Sequence, residues 1–222
     1  MKVAIEQIGR EREPVVVIDD FAADPDALRV FATRGVFGPA AHHYPGIRAS
    51  LPDDYLPTQL RGIAGALADA FGSAGPVEAI DASYSIVTTP PADLSVGQRL
   101  PHCDAHARGR IALIHYLSDD RDGTAFFRHR STGFETVDER RAAIYTDQLD
   151  AELRHGGPPP AAYVAGDTPL FERIWLAEAR YNRALLYRSC LLHSGAIAPD
   201  ATLSPDPAAG RLTITGFLSV GE

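Results

Sequence analysis

The chain has 222 residues, enough for one full-sized core, and its 45% apolar and 23% charged content is that of an ordinary globular protein. No apolar run approaches membrane-spanning length, and Glu6, Glu11 and Glu13 replace the basic-then-apolar start of a secretion signal, so a soluble cytoplasmic protein is expected. A formal net charge of −8 argues against broad contact with nucleic acid or anionic membrane, and two cysteines, Cys103 and Cys190, are too few for a disulfide framework and read as buried, reduced thiols.

There is no internal repeat. Pro14 precedes the β-branched run Val15-Val16-Val17-Ile18, a buried strand. Asp24 has the character of a helix N-cap, with Pro25 at the first helical position and a stop at Gly35. The loop that follows carries His42-His43, a pair that is either solvated or ligating, and Arg48, which is either solvated or meets an acidic substrate group. Leu60, Ile63, Ala64, Leu67 and Phe71 recur at helical spacing and predict a helix over 57–71, closed by Gly72.

Residues 82–89 alternate as a strand and end at Pro90-Pro91. Pro101 biases Leu100 towards extended backbone, which puts Pro101-His102-Cys103-Asp104 on a strand or its edge. Residues 111–117 are almost continuously apolar, as a central strand covered on both faces requires. A turn over 118–123 leads to a strand over 124–127. Residues 135–155 carry acids at the start and Arg154 and His155 at the end, the charge order of a helix. A second helical piece is expected over 168–179, around Trp175, so that 135–180 reads as a helical insertion between strands. Strands return at 184–187 and 190–195. A Pro/Ala/Asp-rich loop over 198–210 precedes the closing strand over 211–218, which carries Arg211, Thr213, Thr215 and Phe217 on one face.

In an extended segment His102 and Asp104 share a face. One carboxylate and two imidazoles, the second from His193, hold one face of a divalent iron and leave the remaining positions open. The last strand adds a cation. A half-buried Arg211 needs an acidic partner, its planar fork suits a carboxylate, and Thr213 points the same way. Arg188 competes for that role, and His106 competes for the metal. His115 and His129 read as structural, while Arg128 and Arg130 are candidates for an acidic-substrate entrance.

This order of residues resembles the iron(II)- and 2-oxoglutarate-dependent oxygenases. The matching positions are His102, Asp104 and His193, then Arg211 and Thr213, over roughly residues 80–220. The segment 111–127 is similar to the strand pair of prolyl-hydroxylase-like members. The strings Tyr44-Pro45-Gly46-Ile47-Arg48-Ala49, Arg128-His129-Arg130-Ser131-Thr132-Gly133 and Leu192-His193-Ser194-Gly195 look like a bacterial branch of the superfamily.

The resemblance implies a mainly β fold with flanking helices, a double-stranded β-helix or jelly roll. It implies one oxygenase-like domain over 1–222, with an N-terminal strand and packing helices over 1–78 and the jelly-roll core over 79–222. It implies Fe(II) held by His102, Asp104 and His193. It also implies 2-oxoglutarate held by Arg211 and Thr213, with Tyr116 or Tyr187 adding a hydroxyl, and O2 as the oxidant. The expected activity is hydroxylation of a small molecule or peptide side chain with release of succinate and CO2. The alternatives are a non-oxidative jelly-roll protein that binds a small acid or sugar, and an interaction module on the same scaffold.

Overall fold

The computed structural model describes residues 1–40, 44–72, 75–118 and 123–221. The adjacent histidines His42 and His43, and most of the turn expected over 118–123, lie outside the described residues.

Strands β1 (Lys2–Ile8) and β2 (Glu13–Asp19) form an antiparallel hairpin whose turn is made with Gly9 and Arg12 in the left-handed region. Helix α1 (Pro25–Ala32) starts as its residues dictate, with the Asp24 side chain accepting from the Ala27 N–H. Strands β3 (Gly38–Pro39) and β4 (Gly46–Ala49) follow, then helix α2 (Tyr55–Phe71), which ends on Gly72 at φ 71°. Strand β5 (Val77–Val87) leads through two short 3-10 turns to β6 (Arg110–Tyr116) and β7 (Gly123–His129). Helix α3 (Ala142–Gly156), β8 (Phe171–Glu178), β9 (Arg183–Arg188), β10 (His193–Gly195) and β11 (Leu212–Val220) complete the chain.

The fold is mainly antiparallel β. One sheet has eight strands in the order β1-β2-β9-β6-β11-β5-β4-β3, and a second has three in the order β10-β7-β8. The two face each other as a jelly roll. The outer face of the large sheet buries Ile86, Leu113, Leu186 and Ile214 against α2, which contributes Ile63, Leu67 and Phe71. On the outside of the small sheet, Phe127, Phe171 and Leu192 pack against Tyr145 of α3. Tyr116, Phe126, Leu185 and Tyr187 fill part of the space between the sheets. Among the described residues no helix is long and apolar enough to cross a membrane.

Two expectations over 135–180 are overturned. Residues 171–178, read as helical, form β8 and pair with β7 from Gly123↔Glu178 to His129↔Phe171, with a register shift at Phe126/Phe127. The sheet ladder supplies backbone partners that outweigh the helix preference of Leu176, Ala177 and Glu178. The helix expected over 135–155 begins at Ala142, because Glu135 is consumed elsewhere. Its buried carboxylate accepts from the N–H groups of Arg10 and Glu11 at 2.9 Å and from Arg128 Nε at 2.8 Å. Glu11 answers in kind, accepting from the N–H groups of Glu135 and Thr136. The pair locks the β1–β2 turn onto the segment that leads into α3.

Candidate functional site

His102 and His193 come from distant parts of the chain and are joined by their main chains. Each N–H donates to the other's carbonyl at 2.9 Å, an isolated antiparallel bridge. Asp104 N–H donates to Ser189 O at 2.8 Å, which ties the third residue to the same segment. On the other side, Phe127 N–H donates to Leu192 O and β10 pairs with β7 through His193↔Phe126. The three side chains converge, with one donor atom from each lying within 4.8 Å of the others. His102 Nε2 is 3.6 Å from Asp104 Oδ1, His193 Nε2 is 3.4 Å from Asp104 Oδ2, and the imidazole centroids are 4.5 Å apart. The His102 side chain is 49% exposed and that of His193 is 7% exposed, so the cluster runs from the mouth inwards.

The electrostatics suit a cation. His193 Nδ1 lies 2.9 Å from Leu191 O. A carbonyl only accepts, so Nδ1 carries the proton and Nε2 presents a bare lone pair towards Asp104. Burial pushes the His193 pKa down to about 4, against the pull of Asp104, so the ring is neutral at physiological pH. Burial alone would raise the Asp104 pKa, but His193, cationic only in the acid range where the carboxyl itself titrates, together with His102 and Arg110 outweighs it and holds the carboxyl below its ordinary value. A lone pair and a carboxylate oxygen facing each other across 3.4 Å repel unless something positive lies between them. Two imidazoles and one carboxylate are also a donor set suited to iron. The residues therefore fit such an ion.

The cluster opens into a cavity of about 700 Å³ between the sheets, lined among others by Arg48, Arg110, Tyr163, Arg211 and Thr213. Arg211 Nη2 donates to Gly123 O at 3.1 Å, and its guanidinium lies 5.7 Å from the Tyr116 ring centre. Thr213 hydroxyl donates to Ser85 O at 3.2 Å. The Tyr116 hydroxyl bonds Thr124 Oγ1 at 2.7 Å, so Tyr116 supports Arg211 from behind while Tyr187 faces the cavity against the His193 ring.

The rivals lie elsewhere. Arg188 donates to Arg108 O at 2.6 Å, lies 3.3 Å from Glu13 and packs over Phe71. His106 Nδ1 bonds Val137 O at 2.7 Å. His115 is buried between the Tyr55 hydroxyl and Asn182, and His129 is buried against Glu152 and Thr132. Arg128 and Arg130, the candidates for an acidic-substrate entrance, are engaged elsewhere. Arg128 is buried in ion pairs with Glu135 and Glu172, and Arg130 pairs with Asp167 at 3.5 Å. Cys103 and Cys190 are free thiols, both raised to about 11 by burial.

Arg48 is a cavity residue, which its loop context did not require. β4 pairs with β5, and the register Arg48↔Ser85↔Thr213↔Tyr116 puts these four residues in one row across the sheet. The Arg48 guanidinium stacks over Tyr44 at 4.8 Å, and Tyr163 donates to Thr89 O nearby. Tyr44, from the string that carries part of the resemblance, also lines the cavity, as do Tyr163, Tyr145 and Arg110, which carried no sequence signal because none belongs to a spaced motif.

A family model matches residues 1–218, and it describes a family of unknown function (DUF6445). The chain belongs to that family. No curated protein sequence matches it. Among solved structures it is similar to HygX from Streptomyces hygroscopicus with iron bound, at 12% identity and TM-score 0.50, covering 96% of this chain and 83% of that one. It is similar to HygX with nickel, 2-oxoglutarate and hygromycin B bound, at 11% identity and TM-score 0.49, covering 93% and 82%. The non-heme alpha ketoglutarate dependent epimerase SnoN from nogalamycin biosynthesis matches at 13% identity and TM-score 0.48, covering 95% and 79%. At these identities the likeness is one of fold.

Proposed function

We propose that this chain is an Fe(II)- and 2-oxoglutarate-dependent oxygenase that hydroxylates a small molecule or a peptide side chain, releasing succinate and CO2. The observation that carries the reading is the convergence of His102, Asp104 and His193 on a cavity that also holds Arg211. A cavity of about 700 Å³ lies within the range of small-molecule sites. HygX, whose fold the chain shares, has iron bound.

His102, Asp104 and His193 would hold the metal. When bound, Fe(II) supplies the redox chemistry that couples O2 to oxidation of 2-oxoglutarate and of the substrate. Leu191 O keeps the His193 proton on Nδ1 and so keeps Nε2 available. Arg211 would receive the distal carboxylate of 2-oxoglutarate through its fork, and Thr213 would add its hydroxyl by turning it from Ser85 O. Tyr145 and Leu149 of α3 wall the cavity beside the cluster.

Anaerobic addition of Fe(II) and 2-oxoglutarate tests this. The expected result is a weak visible metal-to-ligand charge-transfer band, and succinate release once air is admitted. Absence of both would leave the jelly roll as a non-oxidative binding protein.

A further inference from the structure

Three guanidinium groups face the cavity, and they do not sit together. Arg48 lies over the Tyr44 ring and shares a row with Thr213, two residues from Arg211, which places the two cations at one end. Arg110 is at the other. The face of β6 that looks into the cavity carries Arg110, Ala112 and Ile114, followed by Tyr116 beneath Arg211. Along a strand rising about 3.3 Å per residue, Arg110 and Tyr116 are about 20 Å apart at Cα. The ligand cluster lies between them, since Tyr187 pairs with Ala112 and its ring centre is 4.9 Å from that of His193. A co-substrate running from the cluster to Arg211 therefore leads away from Arg110.

Arg110 has no ion pair among the described residues. Its guanidinium lies 4.3 Å over the Phe217 ring, and its buried Nε has no hydrogen-bond partner among them. A cation held on an aromatic face beside the metal cluster, with donors still to satisfy, is suited to a ligand oxyanion.

Building on the oxygenase reading, we propose that Arg110 binds an acidic group of the primary substrate, which is a small molecule bearing a carboxylate or a phosphate. Phe217 supplies the flat apolar wall beside that group.

The test uses the full chain loaded with Ni(II) and N-oxalylglycine, with loading measured first by calorimetry. Benzoate, phenyl phosphate and the neutral benzamide are then titrated into the loaded protein. One of the acids is expected to bind roughly tenfold or more tightly than benzamide, the scale of one charge-assisted hydrogen bond. The tighter acid tells carboxylate from phosphate. Arg110→Gln is expected to abolish the preference and Arg110→Lys to keep part of it. Both variants should take up Ni(II) and N-oxalylglycine normally and melt near the parent temperature, which separates substrate binding from mere support of Asp104. Equal or absent binding of acids and amide by the loaded protein overturns the proposal, as does a preference that survives Arg110→Gln. Failure to load Ni(II) or N-oxalylglycine is a different result and sinks the oxygenase reading with it.

Discussion

His102 and His193 exchange both of their main-chain hydrogen bonds, each 2.9 Å long, so that two imidazoles far apart in sequence share one anchored backbone pair. The bridge sets their separation before any side chain chooses a rotamer. Asp104 is registered on the same segment through Ser189 O. A site built this way is preorganised by strand pairing, which is why single side-chain changes should remove function without unfolding the protein.

Replacing His193 or His102 by alanine is expected to weaken Fe(II) binding by more than roughly 100-fold, beyond the loss caused by removing an outer partner. His106→Ala should leave it unchanged, because that ring is bonded to Val137 O and does not join the cluster. Equilibrium titration with Fe(II) under argon measures both. Equal losses in all three variants would mean that the cluster is not the metal site.

Arg211→Lys and Arg211→Gln should raise the KM for 2-oxoglutarate by roughly 10- to 100-fold, the worth of about 1.5–3 kcal/mol for a hydrogen bond to a charged group. Lysine cannot reproduce the planar fork, so it should rescue little. Arg188→Gln should lower stability through loss of its Glu13 and Phe71 contacts while leaving KM in place. Succinate formation against 2-oxoglutarate concentration decides the matter. A KM that responds to Arg188 and not Arg211 would reverse the assignment.

Glu135→Ala should destabilise the fold by about 3–5 kcal/mol, because it removes the buried acceptor of the Arg10 and Glu11 N–H groups and leaves the buried Arg128 cation only the part-exposed Glu172. Glu172→Ala should cost much less, since Glu172 is 41% exposed and leaves Arg128 paired with Glu135. Urea denaturation gives both values. Similar losses would show that Glu135 is not the keystone of the clamp.

His115 should make stability depend on pH. Its pKa is lowered to about 4 by burial, against the hydrogen bond to Asn182. The Nε2 proton goes to Asn182 Oδ1, and Nδ1 accepts from the Tyr55 hydroxyl, so a second proton has no acceptor. Above the unfolded value of about 6.5 neither state carries the proton and nothing is lost. As pH falls below it the unfolded chain binds a proton that the folded chain refuses until about 4, so stability drops across that window. The drop is roughly 3 kcal/mol and levels off below the folded value. Denaturation of the parent and of His115→Gln across this range should differ in slope by up to one proton. Parallel curves would refute the role of His115.

Much of the molecule could be read before folding. Long β-branched or apolar runs announce β2, β6 and β9, since a strand covered on both faces must be apolar at nearly every position, and alternation announces β11. Asp24-Pro25 announces α1, and the apolar stripe through Ile63 and Leu67 announces α2. β1 is silent in the sequence because it is an exposed edge with little pattern, and β4 because four residues carry no periodicity. β8 reads as helix because its residue preferences are helical while its stability comes from pairing with β7.

Local chemistry in the sequence was enough to name the candidate ligand types, their order and the spacing that puts His102 and Asp104 on one face, because period-2 geometry is local. It also determined that Arg211 and Thr213 share a side of the last strand. Folding was needed to bring His193 to the pair, to turn Arg211 and not Arg188 into the cavity, and to set Arg48 and Arg110 on rows far apart along the sheet. Those choices depend on strand order and register between residues far apart in the chain, which local propensity does not encode.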